Sequence, residues 1–373
     1  MKLLKVAERQ SRQYLRDITR REHAILTGRA AAGIWSVLRA WSLHDKVILL
    51  PDNTCYIVLW AVLKSGNLPL LVDVDRNTAN LTVANLDVHR TAHPAVVIPC
   101  HMYGLPAPMK SICEWAKANG VKVIEDAALA LGATVDGQPA GSWGDASIVS
   151  FGLGKIVDNQ VGGALLTNDS LLADSVTKLL AELPVWDDRL MALTNQWNGL
   201  YWPLHQYESQ NPRLLDLYPQ LFALYGDLTA YQLAADDWVD LPVLLRDLPD
   251  NLARRAQLAT LYDVLLQTDN PLILPSLERP MGSILWRYPL LVKADVRDEL
   301  LGYLWEQGIH EATRWYPPLR PMTTALAPQL SQRLTPTANA LGASIINLPL
   351  DADIDEQFVR RVAERIHAFV DDI

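Results

Sequence analysis

Short, uninterrupted apolar runs recur through the first half of this chain, with helical patterns between them. "KVILLP" (46–51), "LPLLVDVD" (68–75), "AVVIPC" (95–100), "VKVIED" (121–126), "ASIVSF" (146–151) and "GALLTN" (163–168) are apolar at consecutive positions and do not alternate with polar residues. A strand of that kind hides both faces. Between the runs, Ile34, Val37, Leu38 and Trp41 follow the i, i+3, i+4, i+7 spacing of a helix face. A second helical pattern covers 54–64, and a third, "MKSICEWAKANG" (109–120), closes on Gly120. Fully apolar strands that alternate with helices predict an α/β fold with a mainly parallel central sheet covered by helices on both faces. In such sheets ligands sit beyond the carboxyl ends of the strands, which places Asp126, Ser150 and the residues after them on the functional edge.

Around this core the sequence divides into a polar leader (1–25), a large domain (26–250) and a smaller C-terminal α/β domain (251–373). Within the large domain, 183–224 is rich in Trp, Tyr, Leu and Pro with weak periodicity. It reads as a packed loop-and-helix excursion, a subunit contact or a pocket wall. A long helical stretch is expected over 228–267. The strand "ILWRYPLLVK" (284–293) and helices near 296–308 and 355–370 fill the last part.

Composition narrows the function. A net charge of −9 on 373 residues, with no basic cluster, argues against nucleic acid as a partner. The cysteines, Cys55, Cys100 and Cys113, have no ligand spacing and suit a reducing cytoplasm. The opening "MKLLKVAERQSRQYLRD" turns polar too early for a signal peptide, and the longest apolar run, "CYIVLWAVL" (55–63), is too short to span a bilayer. The expectation is a cytoplasmic protein without a membrane partner. Dinucleotide-fold, P-loop, zinc-protease and serine-hydrolase signatures are absent, and the histidines show no metal-ligand spacing.

What remains is a constellation. Gly28, Arg29 and Ala30 open a helix whose free amides suit a phosphate, although a plain helix start reads the same way. Asp126 ends a strand in "VIEDAALALGA", where it fits a ring partner or a helix N-cap. Ser150, Lys155 and the Gly162–Gly163 pair follow in "SFGLGKIVDNQVGG"; a surface lysine in a glycine turn is the plain alternative. Pyridoxal 5'-phosphate calls for all of these at once: a lysine to hold its aldehyde, a carboxylate at its ring nitrogen and donors for its phosphate.

These segments resemble the DegT/StrS-type aminotransferases, fold-type I pyridoxal-phosphate enzymes that mostly aminate nucleotide-linked keto-sugars. The resemblance rests on "DNTCYIVLWAVLKSGNLPLLVDVD", "VVIPCHMYGLPAPM", "VIEDAALALGA", "GSWGDASIVSFGLGK", "GGALLTND", "GIHEATRWYPPL" and "IINLPL", in the family's order from about residue 25 to the C-terminus. It implies that Lys155 is the Schiff-base lysine and proton carrier and that Asp126 pairs with the ring nitrogen. It further implies that Ser150 and the amides of Arg29 and Ala30 hold the phosphate, and that the chain works as a homodimer.

The chain departs from the family's pattern at several cofactor positions. Leu129 stands where a glutamine is usual. Arg29 replaces a hydroxyl residue in the phosphate turn, and Cys55, beside Tyr56, takes the place of the stacking aromatic. Tyr225 and Asp227 stand where an Asn and an Arg would serve the neighbouring subunit, and Val161 replaces an acidic residue. The function implied is transfer of an amino group from an amino acid such as glutamate to a keto-sugar. Alternatives are a dehydratase or lyase of the same fold, in which a histidine would replace the lysine, and a non-catalytic regulatory relative.

Overall fold

The computed structural model describes residues 2–207 and 211–372. Its centre is a sheet of β1 (His23–Thr27), β2 (Val47–Pro51), β3 (Leu68–Val72), β4 (Val96–Val97), β5 (Lys122–Asp126), β8 (Ala146–Ser150) and β9 (Gly163–Thr167). A small hairpin, β6 (Thr134–Val135) and β7 (Gln138–Pro139), lies between β5 and β8. The sheet order is β1-β9-β8-β5-β4-β2-β3. The pairs from β8 through β5, β4 and β2 to β3 are parallel, while β9 runs antiparallel to both its neighbours.

The apolar runs follow directly from this arrangement. Successive side chains of a strand point to opposite faces. Ile48, Leu50, Ile124 and Ile148 enter the core under α2 (Ala30–Ala40) and α3 (Tyr56–Lys64). Leu49, Val97, Val123 and Val149 enter the core on the other face, where α4 (Val83–Asp87) and α5 (Met109–Asn119) lie. Thr82 caps α4 with a reciprocal Asn85 bond, and Gly120, at φ 68°, ends α5 in the left-handed conformation glycine adopts without strain. Each fully buried large aliphatic side chain contributes roughly 1.5–3 kcal/mol, and that repeated burial sets the register of the sheet.

Two expectations are corrected. The leader over 1–25 is, over Lys2–Thr19, the amphipathic helix α1. Its Leu15 is fully buried, and Ser11 and Thr19 return their hydroxyls to the Ala7 and Leu15 carbonyls. Its charged outer face made it read as a leader. The helical stretch expected over 228–267 is broken into short 3-10 turns (Gly226–Thr229 and Ala235–Trp238) before two true helices. Pro242 and Pro249 each sit in the first turn of a new helix, because proline lacks the N–H a continuing helix would need.

The chain continues from β9 into α6 (Ser170–Ala181) and then the Trp-rich excursion, α7 (Asp188–Tyr207) and α8 (Tyr218–Tyr225). The excursion packs on its own chain, with the rings of Trp197 and Trp60 4.6 Å apart and those of Tyr201 and Tyr56 4.7 Å apart. Next come α9 (Leu241–Arg246) and α10 (Leu248–Leu265). The C-terminal part builds on the antiparallel ribbon of β10 (Tyr288–Leu291) and β11 (Ile345–Leu348). Around it lie α11 (Arg297–Glu306), α12 (Arg320–Leu326), α13 (Pro336–Ser344) and α14 (Glu356–Asp371). The domain boundary expected at 250 falls in the first turn of α10, which packs against α14. No helix among the described residues is long and apolar enough to cross a membrane.

Candidate active site

The carboxyl ends of β5 and β8 meet at one edge of the sheet, and the turn from β8 to β9 carries Lys155. That turn is built by local bonds: the Gly154 amide donates to Asp158 Oδ2 at 2.7 Å and the Lys155 amide to the Gly152 carbonyl at 3.1 Å. Gly154, at φ 73°, makes the reversal. Lys155 Nζ ends 3.4 Å from the Tyr316 hydroxyl and 5.7 Å from the centre of the Trp286 ring. Burial pushes the lysine below the usual range, although Cys55 and Asp126 nearby pull it back up.

Asp126 is the last residue of β5 and only 6% exposed. Its Oδ1 accepts the Ala128 amide at 2.9 Å and its Oδ2 the Cys100 thiol at 3.3 Å. Burial pushes the carboxyl up, opposed by the Ala128 amide, Cys100 and Lys155. Among the described residues neither Lys155 nor Asp126 forms an ion pair. The preceding residue, Glu125, points to the other face. It accepts the Gly141 and Trp143 amides, the Ser147 hydroxyl and His101 Nε2. The Ala107 amide donates to His101 Nδ1, so the ring proton lies on Nε2. Arg21 bridges the Gly141 and Gly144 carbonyls of the same loop. That buried network anchors the end of β5 from behind, one residue from Asp126.

The phosphate end is equally local. Arg29 is the N-cap of α2, bridged in parallel to Gly162, and makes no side-chain cap, so the first amides of that helix have no side-chain acceptor. Beside them β9 begins with Gly163, where a β-carbon would lie 2.5 Å from the Ala30 amide nitrogen. The Gly152 amide approaches the Ser150 hydroxyl at 3.4 Å. The Arg29 guanidinium donates to the Leu228 carbonyl at 2.7 Å and faces the Tyr56 and Tyr231 hydroxyls.

The structure therefore brings Gly28, Arg29, Ala30, Cys55, Asp126, Ser150 and Lys155 to one edge, where Cys55 acts electrostatically on Lys155, Arg29 and Asp126. Leu129 lies buried one turn beyond Asp126. Tyr56 has its ring committed to Trp60, Trp197 and Tyr201, which leaves the position beside Lys155 to Cys55. Tyr225 and Asp227 are engaged within their own chain. The Tyr225 hydroxyl meets Gln196, and Asp227 accepts Lys64 at 3.1 Å and Arg189 at 3.5 Å. Sequence reasoning missed Tyr316, Trp286 and Cys100. The first lies in "TRWYPPL" and the last in "VVIPCHMYG", segments that carry the resemblance without marking either residue as special.

The residues present fit pyridoxal phosphate. A half-buried amine without an ion-pair partner, a buried carboxylate without an ion-pair partner and a helix N-terminus without a side-chain cap are matched by its aldehyde, its ring nitrogen and its phosphate. The sequence profile of the DegT/DnrJ/EryC1/StrS aminotransferase family matches residues 8–183 and 242–367. The chain belongs to that family. It is a DegT-family enzyme of the pyridoxal-phosphate transferase type, and pyridoxal 5'-phosphate is its cofactor.

Among curated relatives, this DegT-family chain is 28% identical over 337 residues to the dTDP-3-amino-3,6-dideoxy-alpha-D-galactopyranose transaminase of Aneurinibacillus thermoaerophilus, covering 89% of this chain and 82% of the relative. It is 29% identical over 332 residues to the dTDP-4-dehydro-2,3,6-trideoxy-D-glucose 4-aminotransferase of Saccharopolyspora spinosa, covering 87% and 78%. The solved structure of a DegT DnrJ EryC1 StrS aminotransferase from Brucella abortus superposes with a TM-score of 0.77 at 22% identity, over 97% of this chain and 90% of that one. The internal stretch between the two matched segments of the DegT-family profile, 184–241, contains all of α7 and α8.

Proposed function

We propose that this enzyme moves the amino group of an amino acid, glutamate, onto the carbonyl of a nucleotide-linked keto-sugar. The curated relatives' names support the acceptor class, because both name sugars carried on dTDP. The observation that carries the reading is the pairing of a half-buried Lys155 with a buried Asp126 at the carboxyl edge of the sheet, close enough to act on each other electrostatically without forming an ion pair.

When bound, pyridoxal phosphate supplies an aldehyde that takes up the amino group and a ring that accepts electrons from the donor's α-carbon. The chain's own residues do the rest. Burial lowers the proton affinity of Lys155, so more of it is the neutral amine that attacks a carbonyl and accepts a proton. Its Nζ carries the proton removed from the donor's α-carbon. Tyr316, 3.4 Å away, orients that nitrogen. Asp126, clamped on both oxygens by Cys100 and Ala128, would hold the ring nitrogen protonated. Ser150, the Arg29 and Ala30 amides and the Arg29 guanidinium would hold the phosphate, with Gly163 leaving room for the start of α2, while Gly28 and Gly162 make room for Tyr231 and Trp238. Cys55 and Leu129 would flank the ring.

We read the enzyme as a cytoplasmic homodimer. The free cysteines support a reducing compartment. Leu153, 75% exposed two residues before Lys155, supports a subunit contact beside the site.

The test is covalent. Protein loaded with pyridoxal phosphate and reduced with borohydride should yield a peptide with the cofactor on Lys155. The visible absorption should bleach when glutamate is added. A bare Lys155 peptide from cofactor-saturated protein would overturn the reading.

A further inference from the structure

Cys100 lies where β4 and β5 run on toward the site, bridged to Asp126 in parallel register. Only 5% of it is exposed. Its sulfur is 3.3 Å from Asp126 Oδ2 and 3.1 Å from Thr54 Oγ1. A thiol has one proton, and an ionised carboxylate can only accept. The S–H is therefore given to Asp126, and the Thr54 hydroxyl donates to the sulfur. Thr54 is itself buried, in the turn between β2 and α3. Burial and the adjacent Asp126 push the Cys100 thiol well above its ordinary range, which keeps it a protonated donor near neutral pH. The other carboxylate oxygen is fixed by the Ala128 amide. Without Cys100, Asp126 would keep one anchor and could rotate about it.

We propose that Cys100 is a positioning residue, whose thiol, oriented by Thr54, holds the Asp126 carboxylate in register with the cofactor's ring nitrogen. This rests on the proposed role of Asp126 and adds to it. The chain Thr54–Cys100–Asp126 joins the turn before α3 to the end of β5, so the two sides of the cofactor site are set relative to each other by one sulfur. Lys155, His101 and Cys55 also act on Asp126 electrostatically, but none of them hydrogen-bonds its side chain.

The holoenzyme of wild type, Cys100→Ala, Cys100→Ser, Thr54→Val and Asp126→Asn is compared by two readouts. One is the dissociation constant of pyridoxal phosphate; the other is the pH titration of the bound cofactor's visible band. Loss of the thiol donor should raise the dissociation constant about threefold and move the titration midpoint about half a pH unit, in the direction that Asp126→Asn moves it further. Thr54→Val should give a smaller shift of the same sign. Cys100→Ser, which keeps a donor, should stay near wild type. In an Asp126→Asn background, Cys100→Ala should add nothing. If Asp126→Asn shifts both readouts while Cys100→Ala and Thr54→Val match wild type, the positioning role is overturned and the role of Asp126 stands. If Asp126→Asn itself shifts neither, the role of Asp126 fails first. Thermal melts of each variant identify misfolding, and Cys100→Ser with Thr54→Val carries the test if Cys100→Ala is unstable.

Discussion

A β-carbon at Gly28 would lie 2.1 Å from the Tyr231 carbonyl oxygen and 2.7 Å from that residue's ring. Both neighbours belong to a segment tied down by Gln232, whose amide donates to the Pro184 carbonyl, so they cannot yield cheaply. Gly28→Ala should therefore cost about 2 kcal/mol of stability by overpacking, read as a lower urea midpoint, and should weaken cofactor binding by displacing the start of α2. Gly199 is the contrast. It lies in α7, where an added β-carbon would meet nothing within 4 Å, so Gly199→Ala should raise stability by roughly 0.5–1 kcal/mol through helix propensity. Equal midpoints for the two variants would refute the steric reading of Gly28. The same locality explains which site residues could be read from the sequence. Lys155, Asp126 and Ser150 sit at strand ends or in the turn after one, so order along the chain already places them on the edge. Tyr316 reaches Lys155 from 161 residues away, and no local pattern encodes that contact.

Among the elements, the excursion is the one that departs most from the family, and its energy is aromatic. Trp197 is 1% exposed and lies within 6 Å, centre to centre, of the Tyr56, Trp60, Tyr201 and Tyr225 rings. Tyr56 begins α3 directly after Cys55, so the cluster also braces the turn that borders the site. Trp197→Ala should cost about 3–5 kcal/mol in chemical denaturation, and cofactor binding should weaken as the turn at Cys55 loosens. A loss below about 1 kcal/mol would mean that α7 packs loosely on the sheet. The strands were legible because both their faces are largely buried, so apolar residues dominate them and the few polar ones, such as Glu125 and Ser147, are paired. α1 was not, since a helix half turned to water shows mostly charge; Leu15 and Ser11 betray its inner face only once β1 and α9 are set beside it. The broken stretch after 228 misled for the opposite reason: its many Leu and Ala residues favour helix, and Pro242 and Pro249 decide where each true helix begins.

At the scale of the whole molecule, one buried carboxyl ties the central sheet to the C-terminal part. Asp52, fully buried just after β2, accepts the Leu319 amide through Oδ1 at 2.7 Å and the Thr335 hydroxyl through Oδ2. Leu319 lies three residues after Tyr316, so this clasp also holds the strand of chain that brings Tyr316 to Lys155. Burial pushes Asp52 up to about 6 from 3.8, with the Thr335 and backbone bonds opposing and Asp73 adding to the rise. The folded state thus holds the Asp52 proton to a higher pH than the unfolded chain does. The stability this group contributes is full below about pH 4, falls as pH rises to about 6, and is level above that. The shift of about two units corresponds to roughly 3 kcal/mol across the window. Asp52→Asn cannot ionise, yet its amide oxygen can still accept the Leu319 amide, while the Thr335 hydroxyl can turn to accept from its NH2. Urea melts at about pH 4 and about pH 7 should therefore show that the wild type loses more stability between these values than Asp52→Asn does. The difference should be near the size given, because the other titrating groups are common to both chains. Parallel pH profiles for the two proteins would show that the clasp stays ionised throughout, and the pH dependence would then have to come from elsewhere in the fold.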